Sequence, residues 1–333
     1  MDLYARVNIL GGRSVRLPHG DLSGAIPLDN DPVGRAQAWV AQGADHIHVV
    51  DLDAAAYDDY VNRPLIDRLV QSVDAPVQVA GGVRSDVEAA RLIEAGAWRV
   101  VLGTAAIEHQ NMVWDLCRDH PDKIAVSLDV HADEEIVTRG WTKNSGRYLE
   151  EVLIELSSAG VASFLVAEAG RDALSEPPDF RLLAEALATV EEPVIAAGGV
   201  RDLADLRRLL ALTAGGRRLA GIIVGREVTH GRITIPEALE VIAAGPVEVE
   251  EPEVEVPAAP SPVSIAVAGK YQRLAEELDK AAAHARVAAQ HHLAGEVPRG
   301  PAHGFSVEGH LVRARRLLEE VAELHAEHSR PER

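Results

Sequence analysis

The sequence carries one segment twice. Val79–Asp86 reads Val-Ala-Gly-Gly-Val-Arg-Ser-Asp, and Ala196–Leu203 repeats it 117 residues later as Ala-Ala-Gly-Gly-Val-Arg-Asp-Leu. Pro76 and Pro193 precede the two copies at the same offset. Repetition over this distance indicates that a unit of about half a domain was duplicated.

Around the two copies, short β-branched runs alternate with longer amphipathic stretches. The predicted strands are Ala5–Leu10, His46–Val50, Val77–Ala80, Val100–Leu102, Ile124–Leu128, Ser163–Ala167, Val194–Ala197 and Gly221–Val224. Examples of the predicted helices are Pro32–Gln42, Val87–Ala95, Tyr148–Ser158, Phe180–Leu187 and Leu203–Leu212. Eight strands, each followed by a crossover, predict an α/β fold: a (β/α)8 TIM barrel of two half-barrel repeats over residues 1–244. An open doubly wound sheet is the alternative, but it requires no internal two-fold.

Charge and composition exclude several classes of function. The 333 residues include 33 Lys and Arg against 52 Asp and Glu, a formal net charge of −19. Such a chain is repelled by nucleic acid and anionic membranes, so any phosphate must be held locally. The single cysteine, Cys117, excludes a disulfide framework and a cysteine-based zinc site. No apolar run is long enough to span a membrane, and we expect a cytoplasmic protein.

The composition changes after Ala244. Residues 245–263 are rich in Pro and Glu and contain no Lys or Arg, which predicts an extended linker. Tyr271–Leu293 and Val307–His328 have helical patterns separated by a Gly/Pro-rich segment. Residues 264–333 are therefore predicted to form an α-helical hairpin that docks on a protein partner or self-associates.

Two metal-site hypotheses for this tail are weaker than their structural alternatives. His284 and His291 are seven residues apart and would share a helix face, but solvated or packed histidines are the better explanation, because no adjacent carboxylate–histidine pattern repeats. Glu319–Glu323 has a Glu-Glu-x-x-Glu spacing that can hold magnesium, yet the second acidic helix that such a site needs is missing. We therefore predict no metal site.

The repeated glycines predict phosphate binding. Each copy ends a strand in Gly-Gly, where backbone amides can approach an anion at a helix N-terminus. In a barrel, the third and seventh strands lie on opposite sides of one rim, so two phosphate grips would face each other. The alternative is that these glycines only permit tight turns. The predicted phosphate-binding positions are Gly81, Gly82, Gly103, Thr104, Gly198, Gly199, Gly225 and Arg226.

Several further segments carry a resemblance to a known family. They are Ser14–Gly20, His46–Ala54, the two Gly-Gly-Val-Arg loops, Leu102–Ala106, Val126–Val130, Arg139–Thr142 and Ile223–Gly225. With them, the chain resembles the phosphoribosyl isomerase A family of histidine biosynthesis, in particular the actinobacterial version that also serves tryptophan synthesis. The resemblance spans residues 1–244 and leaves the tail outside.

The resemblance implies an Amadori rearrangement of a bis-phosphorylated aminoimidazole carboxamide ribonucleotide, without metal or cofactor. Such a reaction needs an acid and a base, for which paired carboxylates are suited. Asp129 and Asp172 match carboxylates of the family. Arg16, Arg139 and Trp141 match residues that clamp a phosphate and stack on the imidazole.

The chain departs from the family at several catalytic and phosphate-binding positions. Asn8 stands where the family has the aspartate base, and an amide cannot act as a base. Ala167 replaces a threonine, and Ala173-Leu174 replaces a phosphate-loop Gly-Thr. Ala56–Asn62 replaces a Gly-x-Gly-x-Asn loop and brings two acids, Asp58 and Asp59, toward a phosphate.

Three hypotheses follow from the sequence. The first is an isomerase in which Asp129 takes over proton abstraction and Asp172 is the acid. The second is a catalytically degenerate paralogue that binds a phosphorylated metabolite, or a protein partner through its C-terminal helices, with Asn8 only a hydrogen-bonding barrel residue. The third is an enzyme whose substrate lacks the phosphate near Asp58 and Asp59.

Overall fold

The computed structural model describes two separate units of the chain. Residues 1–249 form one unit and residues 250–333 the other. The described residues are 1–17, 22, 24–131, 134–140, 143–169, 176–246, 270, 273–274, 277–278, 280–282, 284–289, 306–318 and 320. None of the helices among them is long and apolar enough to cross a membrane.

Eight parallel strands of the first unit form a closed barrel, which confirms the predicted TIM barrel. They are β1 (Asp2–Leu10), β2 (His46–Asp51), β3 (Val77–Ala80), β4 (Arg99–Leu102), β5 (Ile124–Val130), β6 (Ser163–Glu168), β7 (Val194–Ala197) and β8 (Gly221–Val224). Each strand pairs with its neighbours in sequence, and β8 closes the ring by pairing with β1. In this ring β3 and β7 lie four strands apart, on opposite sides.

Among the described residues, eight longer helices follow the strands, and three short ones, Leu52–Tyr57, Thr104–Glu108 and Arg226–Thr229, lie at strand ends. The longer helices are α1 (Pro32–Ala41), α2 (Arg63–Ser72), α3 (Asp86–Glu94), α4 (Gln110–Asp119), α5 (Leu149–Ser158), α6 (Phe180–Thr189), α7 (Leu203–Ala211) and α8 (Ile235–Ala244). Side-chain caps fix where several of them begin: Ser85, Asp179 and Asp202 accept backbone N–H groups in the first turns of α3, α6 and α7. Thr234 and Glu237 form a capping box at α8.

Two apolar layers result from the alternation of side chains along each strand. On β6, Phe164 and Val166 join the large core between strands and helices. Leu165 points the other way, into a smaller cluster inside the barrel that also contains Tyr4, Val101, Ala125, Ile195 and Ile223. The barrel is therefore filled by side chains in its lower part, and ligands have access to its mouth.

Strands outside the barrel were missed by the sequence patterns. Arg13–Arg16 turns back on β1 through Gly11 and Gly12, which have positive φ, and pairs with Ile26–Asp29. Glu135–Thr138 and Lys143–Tyr148 extend β5 as antiparallel strands. These strands are short or polar, so their alternation gives no clear hydrophobic signal.

A small hairpin accounts for the insertion in the second half-barrel. Thr213–Ala214 pairs with Arg217–Arg218, and Gly215 and Gly216 between them both have positive φ. Two such glycines are typical of the tight turns that join antiparallel strands. The insertion therefore adds a turn after α7 without changing the order of the barrel strands.

The described residues of the second unit are helical. Glu277 accepts hydrogen bonds from His310 at 2.8 Å and from Arg313 at 2.5 Å, so residues 277–278 and 306–318 lie against each other. These contacts hold the pKa of Glu277 at about 2. The predicted linker 245–263 lies outside the described residues except for Gly245 and Pro246, and the predicted boundaries of linker and hairpin stay predictions.

Candidate active site

The predicted ligand residues that the structure describes follow the carboxyl ends of the strands. Gly81 and Gly82 follow β3, and Gly198 and Gly199 follow β7. Since all eight strands are parallel, both glycine pairs lie at the same rim, and since β3 and β7 are opposite, they lie across the barrel mouth from each other. This is the rim where TIM barrels carry their active sites.

The first glycine pair is packed tightly against the neighbouring strand end. A Cβ on Gly81 would lie 2.2 Å from the carbonyl oxygen of Asp51, and one on Gly82 would lie 2.4 Å from Cβ of Ala54. Both glycines have positive φ. Close packing and backbone conformation together therefore require glycine here, whether or not an anion binds.

A buried polar network holds this first loop in place. Arg63 pairs with Asp51 at 3.1 Å and donates to the carbonyl oxygen of Gly81 at 2.9 Å. Asn62 donates to Asp51 at 2.8 Å and to Asp53 at 2.6 Å. Burial is the main influence on Asp51 and raises the pKa of its carboxyl. The network fixes the ends of β2 and β3 relative to each other.

Both acids of the loop Ala56–Asn62 have partners. Asp59 accepts the backbone N–H of Val61 at 3.1 Å, within the loop. Asp58 has positive φ and forms an ion pair with Arg84. Arg84 also donates to the carbonyl oxygens of Ala54 and Ala55, at 3.1 and 2.8 Å. Arg84 thus partly neutralises the negative charge that this loop brings to the rim.

Among the described residues, the second glycine pair has fewer close neighbours than the first. No described atom lies within 4 Å of the position of a Cβ on Gly198, while a Cβ on Gly199 would lie 3.1 Å from Pro178. A small cleft lies beside this pair, between β6 and β7. Ala167, Glu168 and Asp179 also line it. The two copies of the repeated motif therefore differ in the space that they leave for a ligand.

Arg139 lies beside β4 and is engaged by a carboxylate. Its backbone N–H donates to Oγ1 of Thr104 at 2.8 Å, which joins the extension of β5 to the loop after β4. Its guanidinium donates twice to Glu108, at 3.0 and 2.9 Å, and this pairing lowers the pKa of Glu108. A substrate phosphate at this position would compete with Glu108 for the guanidinium.

Two contacts shape the end of β8. The backbone N–H of Gly225 donates to Oε1 of Glu227 at 2.8 Å, and Glu227 is buried. Arg16, on the strand that turns back on β1, contacts Nε2 of His230 just beyond the short helix Arg226–Thr229. Arg16 and Arg226 thereby lie at the same side of the rim.

Asn8 and Asp129, two of the predicted catalytic positions, lie on barrel strands. Asn8 lies on β1 in register with Val50 of β2. Asp129 lies at the end of β5 in register with Ala167 of β6, and both are partly exposed. The predicted catalytic residue Asp172 and the predicted stacking residue Trp141 lie outside the described residues.

The matched family is the histidine biosynthesis protein family, whose model covers residues 2–234. A relative from Picosynechococcus sp. is 39% identical over 251 residues, 75% of this chain and 96% of the relative. One from Cyanothece sp. is 37% identical over 245 residues, 74% of this chain and 94% of the relative. Both are named as isomerases of a doubly phosphoribosylated imidazole-4-carboxamide. The chain belongs to the histidine biosynthesis protein family.

Membership of the histidine biosynthesis protein family confirms the resemblance read from the motifs. The matched region ends at residue 234, so the tail lies beyond it. The particular relation to the actinobacterial dual-function version stays a prediction. So do the individual roles of the site residues.

The sequence patterns missed three polar side chains inside the barrel. Arg6, His48 and Gln78 lie in register on β1, β2 and β3. Nε2 of Gln78 lies 2.8 Å from Nδ1 of His48, which accepts its hydrogen bond. Burial, helped by the charge of Arg6, lowers the pKa of His48 to about 3, so this imidazole stays neutral. The alternation of side chains along β1 could have placed Arg6 inside the barrel, because residues 4, 6 and 8 share one face of this strand.

The tail histidines were a candidate metal site. Among the described residues, no three His, Cys, Asp or Glu side chains are grouped so that they could hold a metal ion. His284 stacks on His310 with ring centroids 5.4 Å apart, which is a packing contact. His291 and most of Glu319–Glu323 lie outside the part of the tail that is described.

Proposed function

We propose that the protein is an aldose–ketose isomerase of histidine biosynthesis. Its substrate would be the bis-phosphorylated aminoimidazole carboxamide ribonucleotide implied by the names of its relatives. The observation that carries this proposal is the placement of the two Gly-Gly loops across one rim, with Asp129 at the end of β5 between them in the ring. A substrate with a phosphate at each end fits such an arrangement.

Asp129 is the described carboxylate best placed for the proton transfers. The reaction breaks the bond between C1 and the ribose ring oxygen as that oxygen takes a proton, which leaves a protonated imine at C1. Loss of the C2 proton then gives a neutral enolamine. Protonation at C1, with loss of the proton from the C2 hydroxyl, gives the aminoketose. Since the amide of Asn8 cannot accept the C2 proton, we assign this step to Asp129 and the ring-oxygen proton to Asp172.

Turnover of Asp129→Asn tests the assignment. We expect kcat for conversion of the aminoaldose to the aminoketose to fall about 10²- to 10⁴-fold, the usual contribution of a general acid or base. The matched control is Asp119→Asn, which removes an exposed carboxylate at the end of α4. A variant at position 129 that retains wild-type kcat would contradict the proposed role.

The binding-protein alternative makes the opposite prediction for the native chain. If the wild-type protein binds the substrate without converting it, and Asn8→Asp combined with Ala167→Thr creates turnover, then the native protein is not an isomerase. If the wild-type protein turns the substrate over, the alternative is wrong. If the substrate instead lacks the phosphate near Asp58, as the third hypothesis holds, mono- and bis-phosphorylated ligands should bind with equal affinity.

Several finer expectations belong with this proposal. We place the protein in the cytoplasm and expect it to need no metal or cofactor for the isomerisation. The helices of residues 264–333 would supply a docking or self-association element. These expectations rest on composition and family membership.

A further inference from the structure

Arg6 is a charged side chain at the barrel mouth for which the mechanism above has no use. It lies on β1 between Tyr4, which belongs to the cluster inside the barrel, and Asn8. Residues two apart on a strand share a face, so Arg6 points into the barrel as well. It is nevertheless partly exposed. An arginine inside a barrel needs a counter-charge or access to solvent.

The neighbours of Arg6 inside the barrel supply no counter-charge. His48 is in register with it and stays neutral, and its Nδ1 is already occupied by Gln78. With Nδ1 accepting, Nε2 of His48 carries the proton and is a donor. Within the described part of the chain, the Arg6 guanidinium has no carboxylate or other hydrogen-bond acceptor.

The guanidinium of Arg6 reaches the end of β8. A Cβ on Gly225 would lie 2.8 Å from Nε and 3.2 Å from Nη2 of Arg6. Gly225 has φ of −159° and ψ of −75°, and the absence of a Cβ at this position leaves room for the side chain of Arg6. The N–H of Gly225 is engaged by Glu227 and is not available to an anion.

We propose that Arg6 binds the substrate phosphate held on the β7–β8 side of the rim, a role that rests on the isomerase function proposed above. A guanidinium offers several donors in a planar fork that matches a phosphate. The guanidinium of Arg6 would supply a donor to the phosphate in place of the backbone N–H of Gly225, which donates to Glu227. Arg16 contacts His230 on the same side of the rim, and Arg226 begins the short helix that follows this strand end.

The amide at position 8 suits this role of Arg6. A carboxylate there would share the face of β1 with Arg6, two residues away, and could pair with it. Asn8 leaves the guanidinium without an internal partner and therefore open to a ligand anion. The replacement of the family's aspartate by Asn8 would thus have two effects. It removes a base, and it leaves Arg6 available to a phosphate.

Substitution of Arg6 tests the proposal. In Arg6→Gln we expect Kd for the bis-phosphorylated substrate, measured by calorimetry, to rise about 10- to 100-fold, the range for loss of one charge-assisted contact. Thermal stabilisation by inorganic phosphate should fall in parallel. Arg6→Lys should restore part of the affinity. Arg118→Gln, an exposed arginine on α4, is the matched control and should bind as the wild type does.

A substitution that retains Arg6 provides a second test. The Cβ of Gly225→Ala would displace the guanidinium, so phosphate affinity should fall although the charge remains. In the background of Arg6→Gln, where the phosphate contact is already lost, Gly225→Ala should weaken binding much less. Additive losses would mean that the two positions act independently and would count against the proposal.

The outcomes separate this inference from the isomerase proposal. A wild-type protein that binds phosphate through Arg6 but shows no turnover supports the inference and removes the isomerase function. Arg6→Gln with wild-type affinity for substrate and phosphate overturns the inference, whatever the turnover. A wild-type protein that is not stabilised by phosphate and does not bind the substrate overturns both.

Discussion

At the scale of single residues, the polar side chains inside the barrel are held in defined charge states by their surroundings. His48 is buried, accepts a hydrogen bond from Gln78 and has Arg6 beside it. Burial disfavours an imidazolium, and the positive charge of Arg6 disfavours it further. His48 is therefore neutral in the folded protein throughout the physiological range.

The neutral state of His48 predicts a pH dependence of stability. Its pKa is about 3 in the folded protein against an ordinary value of 6.5. As the pH falls below 6.5, the unfolded chain binds a proton that the folded chain does not, so stability is lost between pH 6.5 and about 3. By pH 5 the loss should reach about 2 kcal/mol.

The free energy of unfolding in urea at pH 7.5 and pH 5 measures this loss. His48→Asn keeps an acceptor for Gln78 but has no titrating group, so its stability should fall less on acidification. His109→Asn, at an exposed position, is the control and should follow the wild type. Parallel pH profiles for wild type and His48→Asn would show that His48 titrates normally.

At the scale of elements, the two Gly-Gly loops come from one repeated sequence but have different packing. Gly82 faces Ala54 of the short helix Leu52–Tyr57, whereas Gly198 has no neighbour within 4 Å among the described residues and lies beside the cleft between β6 and β7. The two strand ends share a sequence, but the described residues that pack on them differ.

This asymmetry predicts unequal effects of the same substitution. Both Gly82→Ala and Gly198→Ala place a side chain at a positive φ, which strains the backbone in each case. Gly82→Ala also forces a Cβ within 2.4 Å of Ala54, so it should be the more destabilising by about 1–3 kcal/mol. Urea unfolding of the two variants measures the difference, and equal losses would mean that the first loop relaxes.

At the scale of the whole molecule, the barrel and the tail are separate units. The family match ends at residue 234, and the relatives are almost completely covered by the first three quarters of this chain. The described residues of the tail make their own ion pairs, such as Glu277 with Arg313 and Lys270 with Glu320. Stability and catalysis of the barrel are thus expected to be independent of the tail.

Removal of residues 250–333 should leave a folded, active barrel. We expect the shortened protein to keep the kcat and KM of the full chain and a cooperative thermal transition. Isomerase assays and calorimetry on both proteins measure this. A large rise in KM or loss of cooperative unfolding on truncation would show that the tail supports the active site.

The sequence by itself determined the barrel, its two halves and the rim at which the ligand groups collect. Strand and helix periodicity and a repeat of 117 residues are local signals, because they depend on residues near one another in the chain. The family motifs added Asp129 and Asn8 as predicted positions of chemistry, and both residues lie on barrel strands, Asn8 on β1 and Asp129 on β5.

Tertiary structure alone decided what surrounds those positions. That Arg139 is engaged by Glu108, that Gly82 is packed and Gly198 open, and that Arg6 reaches Gly225 all depend on residues brought together from distant segments. Charge pairing and the space left at a glycine are properties of such neighbours. No periodicity in the sequence encodes them, because side chains on β1 and β8 become neighbours only when the ring closes.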